Sequence, residues 1–217
     1  MTGVPCVLYV DPYWVSPYAF CVCTALAEKG LAFEVRTVDF GRGEQRQPSY
    51  AGLSLTARVP ALVMGDFSLS ESSAIVEYLD EAYPDRPRLL PTDVRQRARA
   101  RQVMAFLRSD LGALREERSS NHVFYPPTQA LPPLSPAGRA AADKIVRVAA
   151  ALVAPGAPSG FGDAWTIADQ DLAMMLMRLI RTNEAVPPAL VDYAEAVWRR
   201  PSARLFIEHP RAPYVPY

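Results

Sequence analysis

The chain has 217 residues, half of them hydrophobic, with 23 basic and 23 acidic side chains. That length admits one large domain or two small ones, and a formal net charge of zero leaves no global field to attract nucleic acid or an acidic membrane surface. No basic patch followed by an apolar run opens the chain, so no signal peptide is expected, and the most apolar long segment, residues 172–180, is interrupted by Arg178 and too short to span a bilayer.

Cys6-Val7-Leu8-Tyr9-Val10 is a short apolar run that reads as a buried strand. Ser16-Pro17-Tyr18-Ala19 follows, and then Tyr18, Cys21, Val22, Ala25 and Leu26 recur at helical spacing until Gly30 stops the helix. Residues 32–38 are β-rich and make a second strand, and a strand–helix–strand unit of this length favours parallel pairing with a right-handed crossover. Residues 41–58 are polar and irregular, with room for a short helix. Residues 61–64 and 67–70 flank Gly65-Asp66, a two-residue hairpin signal. From Ser72 a helix carries Ala74, Ile75, Tyr78, Leu79 and Ala82 on one face until Pro84. The order β-α-β, loop, β-β-α over residues 1–83 predicts a thioredoxin-like α/β domain.

Residues 84–92 hold three prolines and read as an interdomain linker. Strand signals then vanish, and residues 93–217 are expected to form an all-α domain. Ala100, Met104, Leu107, Leu111 and Leu114 lie at helical spacing and predict one long helix. Residues 126–136 make a proline-rich connection, and the short proline-rich insertion 121–134 is placed to cover a pocket. Ser135-Pro136 starts a helix carrying Ile145, Val148 and Leu152, residues 166–181 make a nearly all-apolar one, and Leu190, Tyr193, Val197 and Trp198 mark a fourth. The segment from Pro210 is expected to run extended over the surface.

Ser16 carries the most chemistry. A proline after it loses nothing, because the first helical amide lacks an intrahelical partner. The residue before that proline sits where free N–H groups and the positive end of the helix dipole converge. A cysteine there becomes a reactive thiolate, whereas a serine is able only to donate its proton to the thiolate of a bound ligand. A free thiol has a pKa around 8.5, and each unit of lowering corresponds to about 1.4 kcal/mol of preferential stabilisation of the anion. A hydroxyl plus helix-terminal amides can supply one or two such units. The competing reading is an ordinary helix cap, and Tyr13, Tyr9 and Tyr18 are rival hydroxyl donors, Tyr13 the foremost.

Other groups point away from chemistry. Cys21-Val22-Cys23 has neither redox-pair nor metal-ligand spacing, and His122 and His209 lie far off in sequence, so no metal site is expected. Three cysteines, Cys6 among them, cannot pair fully, which suggests a reducing compartment, the cytoplasm. Met174, Met175 and Met177 read as packing, and Arg95, Arg97, Arg99 and Arg101 as a solvated helix face rather than a nucleic-acid site.

Four signatures stand in fixed order: Ser16-Pro17-Tyr18, Arg58-Val59-Pro60-Ala61-Leu62, Leu69-Ser70-Glu71-Ser72-Ser73-Ala74-Ile75 and Thr166-Ile167-Ala168-Asp169. Together they make the chain, over residues 8–206, resemble the glutathione transferases, and most of all the bacterial serine-type subgroup called YfcF-like. The resemblance implies that Ser16 stabilises the thiolate of glutathione. It implies a cis Val59-Pro60 bond, although the sequence by itself reads as trans, with the main chain of Val59 pairing with the cysteinyl backbone. Ser72 would hold the γ-glutamyl carboxylate at the helix start, and Glu71 the neighbouring ammonium. For Thr166 and Asp169 it implies a folding role, as a capping box. Glutathione would be a co-substrate, with no cofactor and no metal. A hydrophobic electrophile or a hydroperoxide would be its partner in reaction, and two copies of the chain would pair as a homodimer, with Arg108 and Asp110 near the cleft or the partner. The alternative is a transferase-like module that binds ligands or docks proteins without turnover.

Overall fold

β1 (Cys6–Val10) alternates buried Cys6, Leu8 and Val10 with half-buried Val7 and Tyr9, the period of a strand whose one side faces a core. α1 (Pro17–Glu28) then starts on Ser16 and buries every residue from Ala19 to Leu26. Gly30, at φ 62, lets the N–H of Leu31 return to the carbonyl of Leu26 at 3.0 Å, a glycine stop. β2 (Glu34–Thr37) lies parallel to β1. The irregular segment contains a single 3-10 turn (Glu44–Arg46) and the short α2 (Pro48–Ala51). β3 (Ala61–Met64) and β4 (Phe67–Ser70) form the expected hairpin, with Gly65 at φ 63 in its turn. α3 (Ser72–Ala82) completes the layout and packs on α1.

The sheet order is β2-β1-β3-β4. Its register places Tyr9 opposite Ala61, and Ala61 opposite Ser70. Because β3 runs antiparallel to both neighbours, three connections emerge at one end of the sheet: the turn after β1, the segment before β3 and the junction after β4. This is the thioredoxin-like arrangement, and it gathers Ser16, Val59, Glu71 and Ser72 on one edge.

Residues 5–215 are described in this computed structural model, and the chain divides into two compact units, Met1–Leu89 with Pro201–Tyr217, and Leu90–Arg200. The second unit is all-helical: α4 (Val94–Ser109), α5 (Gly112–Glu117), α6 (Asn121–Phe124), α7 (Pro136–Leu152), α8 (Ile167–Ile180) and α9 (Pro188–Trp198). Twelve of the fourteen residues of α8 are buried, so it is the axis on which α4, α7 and α9 pack. The single long helix expected through Leu114 is broken. Asp110 accepts the N–H of Leu111 at 2.7 Å, Leu111 takes a left-handed φ of 62, and α5 restarts at Gly112. Leu107, Leu111 and Leu114 are nonetheless all buried, so the apolar spacing survives a helix end that spacing alone does not show.

Beyond α9 the chain leaves the helical unit. α10 (Pro201–Ile207), absent from the sequence reading, packs on α1 with Phe206 against Phe20 at 5.2 Å between ring centres. Its Ser202 hydroxyl bonds the carboxylate of Glu28. Residues 84–92 are held too: the fully buried Lys29 pairs with Asp80 at 3.0 Å, and Asp80 also accepts the N–H of Leu89 at 2.8 Å.

Candidate active site

Ser16 has extended backbone (φ −68, ψ 116), and its Oγ accepts the N–H of Ala19 at 3.2 Å. It is therefore a true N-cap. Capping and proton donation had been set against each other in the sequence, but they use different parts of the hydroxyl. The cap bond engages a lone pair, and the proton stays on the oxygen to be given elsewhere. Ser16 is partly exposed at the sheet edge.

What aims this hydroxyl is Asp11, which the sequence reading missed. Its carboxylate, 3% exposed, accepts the N–H groups of Tyr13 at 3.1 Å, Val15 at 3.0 Å and Ser16 at 2.9 Å. The turn from 11 to 16 is thus wound around one buried anion, with Trp14 held at φ 53. The readable signal was an Asp-Pro pair, since aspartate binds amides a few residues on in tight turns.

On the adjoining segment, the Val59–Pro60 bond is cis. The carbonyl of Arg58 accepts the hydroxyls of Tyr50 at 2.7 Å and Ser54 at 2.9 Å, which fixes the backbone entering Val59. Burial pushes the Tyr50 phenol up to about 12, so it remains a donor throughout the neutral range. Val59 itself packs on the cluster of Val38, Tyr50 and Ala61.

At the third connection, Glu71 takes φ 73 and ψ 113, a conformation rarely adopted by a side-chain-bearing residue, and it makes no side-chain cap bond. Its carboxylate stands exposed while Ser72, the first residue of α3, is buried. An exposed acid beside helix-terminal amides gives one cation site and one anion site side by side.

The remaining candidates are engaged elsewhere. Cys6, Cys21 and Cys23 are buried thiols. Burial raises the Cys6 thiol and pushes that of Cys23 up to about 12, which leaves neither as a thiolate near neutrality. Tyr9 packs edge-on against Tyr50 at 5.5 Å, and Tyr13 against Tyr214 at 5.1 Å. Arg108 donates to Asp171 at 2.6 Å, and Asp110 pairs with Lys144. Arg97 donates to the carbonyl of Pro91 and Arg99 to Gln102, the contacts of a solvated helix face. Among the described residues no group of His, Cys, Asp or Glu is arranged to hold a metal ion, and no helix is long and apolar enough to cross a membrane.

Residues 10–81 match the family model of the glutathione S-transferase N-terminal domain, and residues 93–210 that of the C-terminal domain. The chain belongs to the glutathione S-transferase family. A glutathione transferase homologue from Burkholderia gl BGR1, solved with bound glutathione, superposes with a TM-score of 0.76 at 39% identity, covering 94% of this chain and 96% of that one. The chain is also 41% identical over 99 residues to glutathione S-transferase Z1 of Arabidopsis thaliana, covering 46% of this chain and 44% of the relative. It is 43% identical over 105 residues to the maleylacetoacetate isomerase of Pseudomonas aeruginosa, covering 47% and 49%. These matches to curated relatives span about half of their length.

Proposed function

We propose that this family member binds reduced glutathione at the sheet edge and activates its thiol for attack on an electrophile. The observation that carries the reading is the convergence of Ser16, Val59, Glu71 and Ser72 on one end of the sheet, fixed by the pairing of Tyr9, Ala61 and Ser70. The Ser16 hydroxyl donates to the sulfur and favours the thiolate. The Val59 main chain pairs with the cysteinyl backbone, Ser72 with the start of α3 receives the γ-glutamyl carboxylate, and Glu71 receives its ammonium. The thiolate attacks an electrophilic carbon and the leaving group departs with the electron pair. With a hydroperoxide it attacks the terminal oxygen, the O–O bond breaks and the alkoxide leaves with the electron pair to be protonated to the alcohol, and a second glutathione condenses with the resulting sulfenic acid to give the disulfide and water. Catalysis is nucleophile activation and orientation, with the sulfur supplied by the substrate.

The serine-type subgroup is favoured by Ser16-Pro17, cytoplasmic residence by an odd number of cysteines, three, which cannot all join in disulfides, and a homodimer by the family resemblance, which light scattering at micromolar concentration checks. Calorimetric titration with glutathione and aryl-halide conjugation test the reading on wild type, Ser16→Ala and Glu71→Ala. Normal conjugation by both variants overturns the site, and a protein that binds but never turns over is the non-catalytic module instead.

A second reading is favoured by the relatives named maleylacetoacetate isomerase. The same thiolate adds reversibly to a conjugated cis double bond, the bond rotates, and the thiolate leaves. Isomerisation consumes no thiol, so assaying free thiol as substrate disappears separates it from conjugation.

A further inference from the structure

The turn that carries Ser16 is gripped from a second side by the segment that follows α10. The guanidinium of Arg211 donates to the carbonyl of Trp14 from Nε at 3.4 Å and from a terminal nitrogen at 3.3 Å. The same group donates to the carbonyls of Phe206 at 2.7 Å, Ile207 at 2.7 Å and His209 at 3.1 Å. Phe206 and Ile207 close α10, where the Phe206 carbonyl takes only a long 3.4 Å bond from the N–H of His209, and a cation there is favoured by both hydrogen bonding and the helix dipole. One side chain thus seals the end of a helix and ties it to a turn 197 residues earlier. Rings extend the grip: His209 stacks on Trp14 at 3.6 Å with an interplanar angle of 15°, and Tyr214 meets Tyr13 at 5.1 Å.

Trp14 is the residue of the turn whose backbone most needs holding. Its φ of 53 is unfavourable for a bulky side chain. Asp11 restrains the amides on either side of it, at Tyr13 and at Val15 and Ser16, while its carbonyl points the other way, into Arg211. The turn is pinned by an anion at its amides and by a cation at its carbonyl. Two residues downstream lies the hydroxyl that must meet a sulfur atom.

We infer that Arg211, with His209 stacked on Trp14, is a positioning residue for Ser16, and that residues 208–215 act as a strap that sets the geometry of thiol activation. The strap touches no reacting atom. Its effect on chemistry rests on the reading of Ser16 given above, whereas its effect on the turn does not, and two measurements keep these apart. Amide hydrogen exchange at Val15 and Ser16, without ligand, reports the strap alone. The pH dependence of aryl-halide conjugation with glutathione reports the thiolate.

Arg211→Ala is expected to speed exchange at both amides about ten-fold or more and to lower kcat/KM below the thiol pKa about ten-fold, with glutathione Kd changed less than about three-fold, since small misplacements weaken chemistry more than binding. Arg211→Lys keeps the charge but not the fork of donors, and falls between. Unchanged exchange in Arg211→Ala overturns the strap. Faster exchange with an unmoved pH profile, in an enzyme whose profile does move in Ser16→Ala, makes the strap structural only and also overturns the inference. If Ser16→Ala itself leaves the profile unmoved, the thiol-activation reading fails and the positioning claim falls with it. Should Arg211→Ala not fold, Arg211→Lys and His209→Gln are judged by the same two measurements.

Discussion

Two buried aspartates wind two turns of this molecule, and they are put to different ends. Asp169, fully buried in the helical unit, accepts the Ser159 hydroxyl, the Gly160 and Thr166 amides, the Thr166 hydroxyl and the Tyr193 phenol, all between 2.7 and 2.9 Å. Every one of those donors is internal, the capping-box pairing is complete, and burial beside the carboxylate holds the Tyr193 phenol well above its usual range. Among the described residues, Asp11 accepts only backbone amides, those of Tyr13, Val15 and Ser16. Its turn ends on a partly exposed serine whose oxygen takes one bond from Ala19. The same device, a carboxylate that organises a turn, builds a closed joint when side-chain hydroxyls donate beside the amides. With backbone amides alone as donors, it leaves a hydroxyl standing at the end of a sheet.

That contrast is breakable in order of expected cost. Asp169→Ala leaves five donors without their acceptor in the core and should lower stability by more than about 3 kcal/mol in urea unfolding. A loss under 1 kcal/mol would mean the joint is not the folding element it looks like. Asp11→Asn keeps the shape but removes the charge from the amide bonds, for a loss of about 1.5–2 kcal/mol, accompanied by about a ten-fold drop in kcat/KM from the misplaced hydroxyl. Ser16→Ala removes a cap, worth about 1 kcal/mol, yet should lower kcat/KM by at least about ten-fold at neutral pH, the equivalent of one unit of thiol pKa. Loss of activity in proportion to stability alone would erase the distinction between the two turns.

The smallest effect is on acid tolerance. Burial, and then the charge of Arg211, lower the His209 pKa, and His122 is lowered by burial with Arg118 and Arg178 beside it. The unfolded chain therefore takes up these protons before the folded one does, so stability is whole above about pH 6.5 and declines as pH falls below it. Thermal unfolding should show a shallower decline for His209→Gln than for wild type, and an identical slope would mean the ring on Trp14 does not feel its surroundings.

Much of this architecture was legible in the chain. Period-two burial in β1, the glycines at 30 and 65, and the apolar spacing of α1 and α3 act locally, so the β-α-β and β-β-α order could be read directly. The capping box at Thr166 and Asp169 was legible for the same reason. Asp11 escaped because its role depends on Trp14 adopting a positive φ, which nothing in a tryptophan announces. α10 escaped because seven residues between prolines carry little periodicity of their own, and its helical form is stabilised by packing on α1 and by Arg211. The break at Leu111 escaped because buried leucines continue at helical spacing on both sides of it.

The central claim is that a serine hydroxyl sharpens a sulfur it does not own. Ultraviolet titration of the thiolate of glutathione bound to wild type and to Ser16→Ala tests it most directly. The account predicts a pKa about one to two units below that of a free thiol in wild type, returning most of the way in the variant. Equal pKa values in the two proteins, with glutathione bound in both, would contradict it.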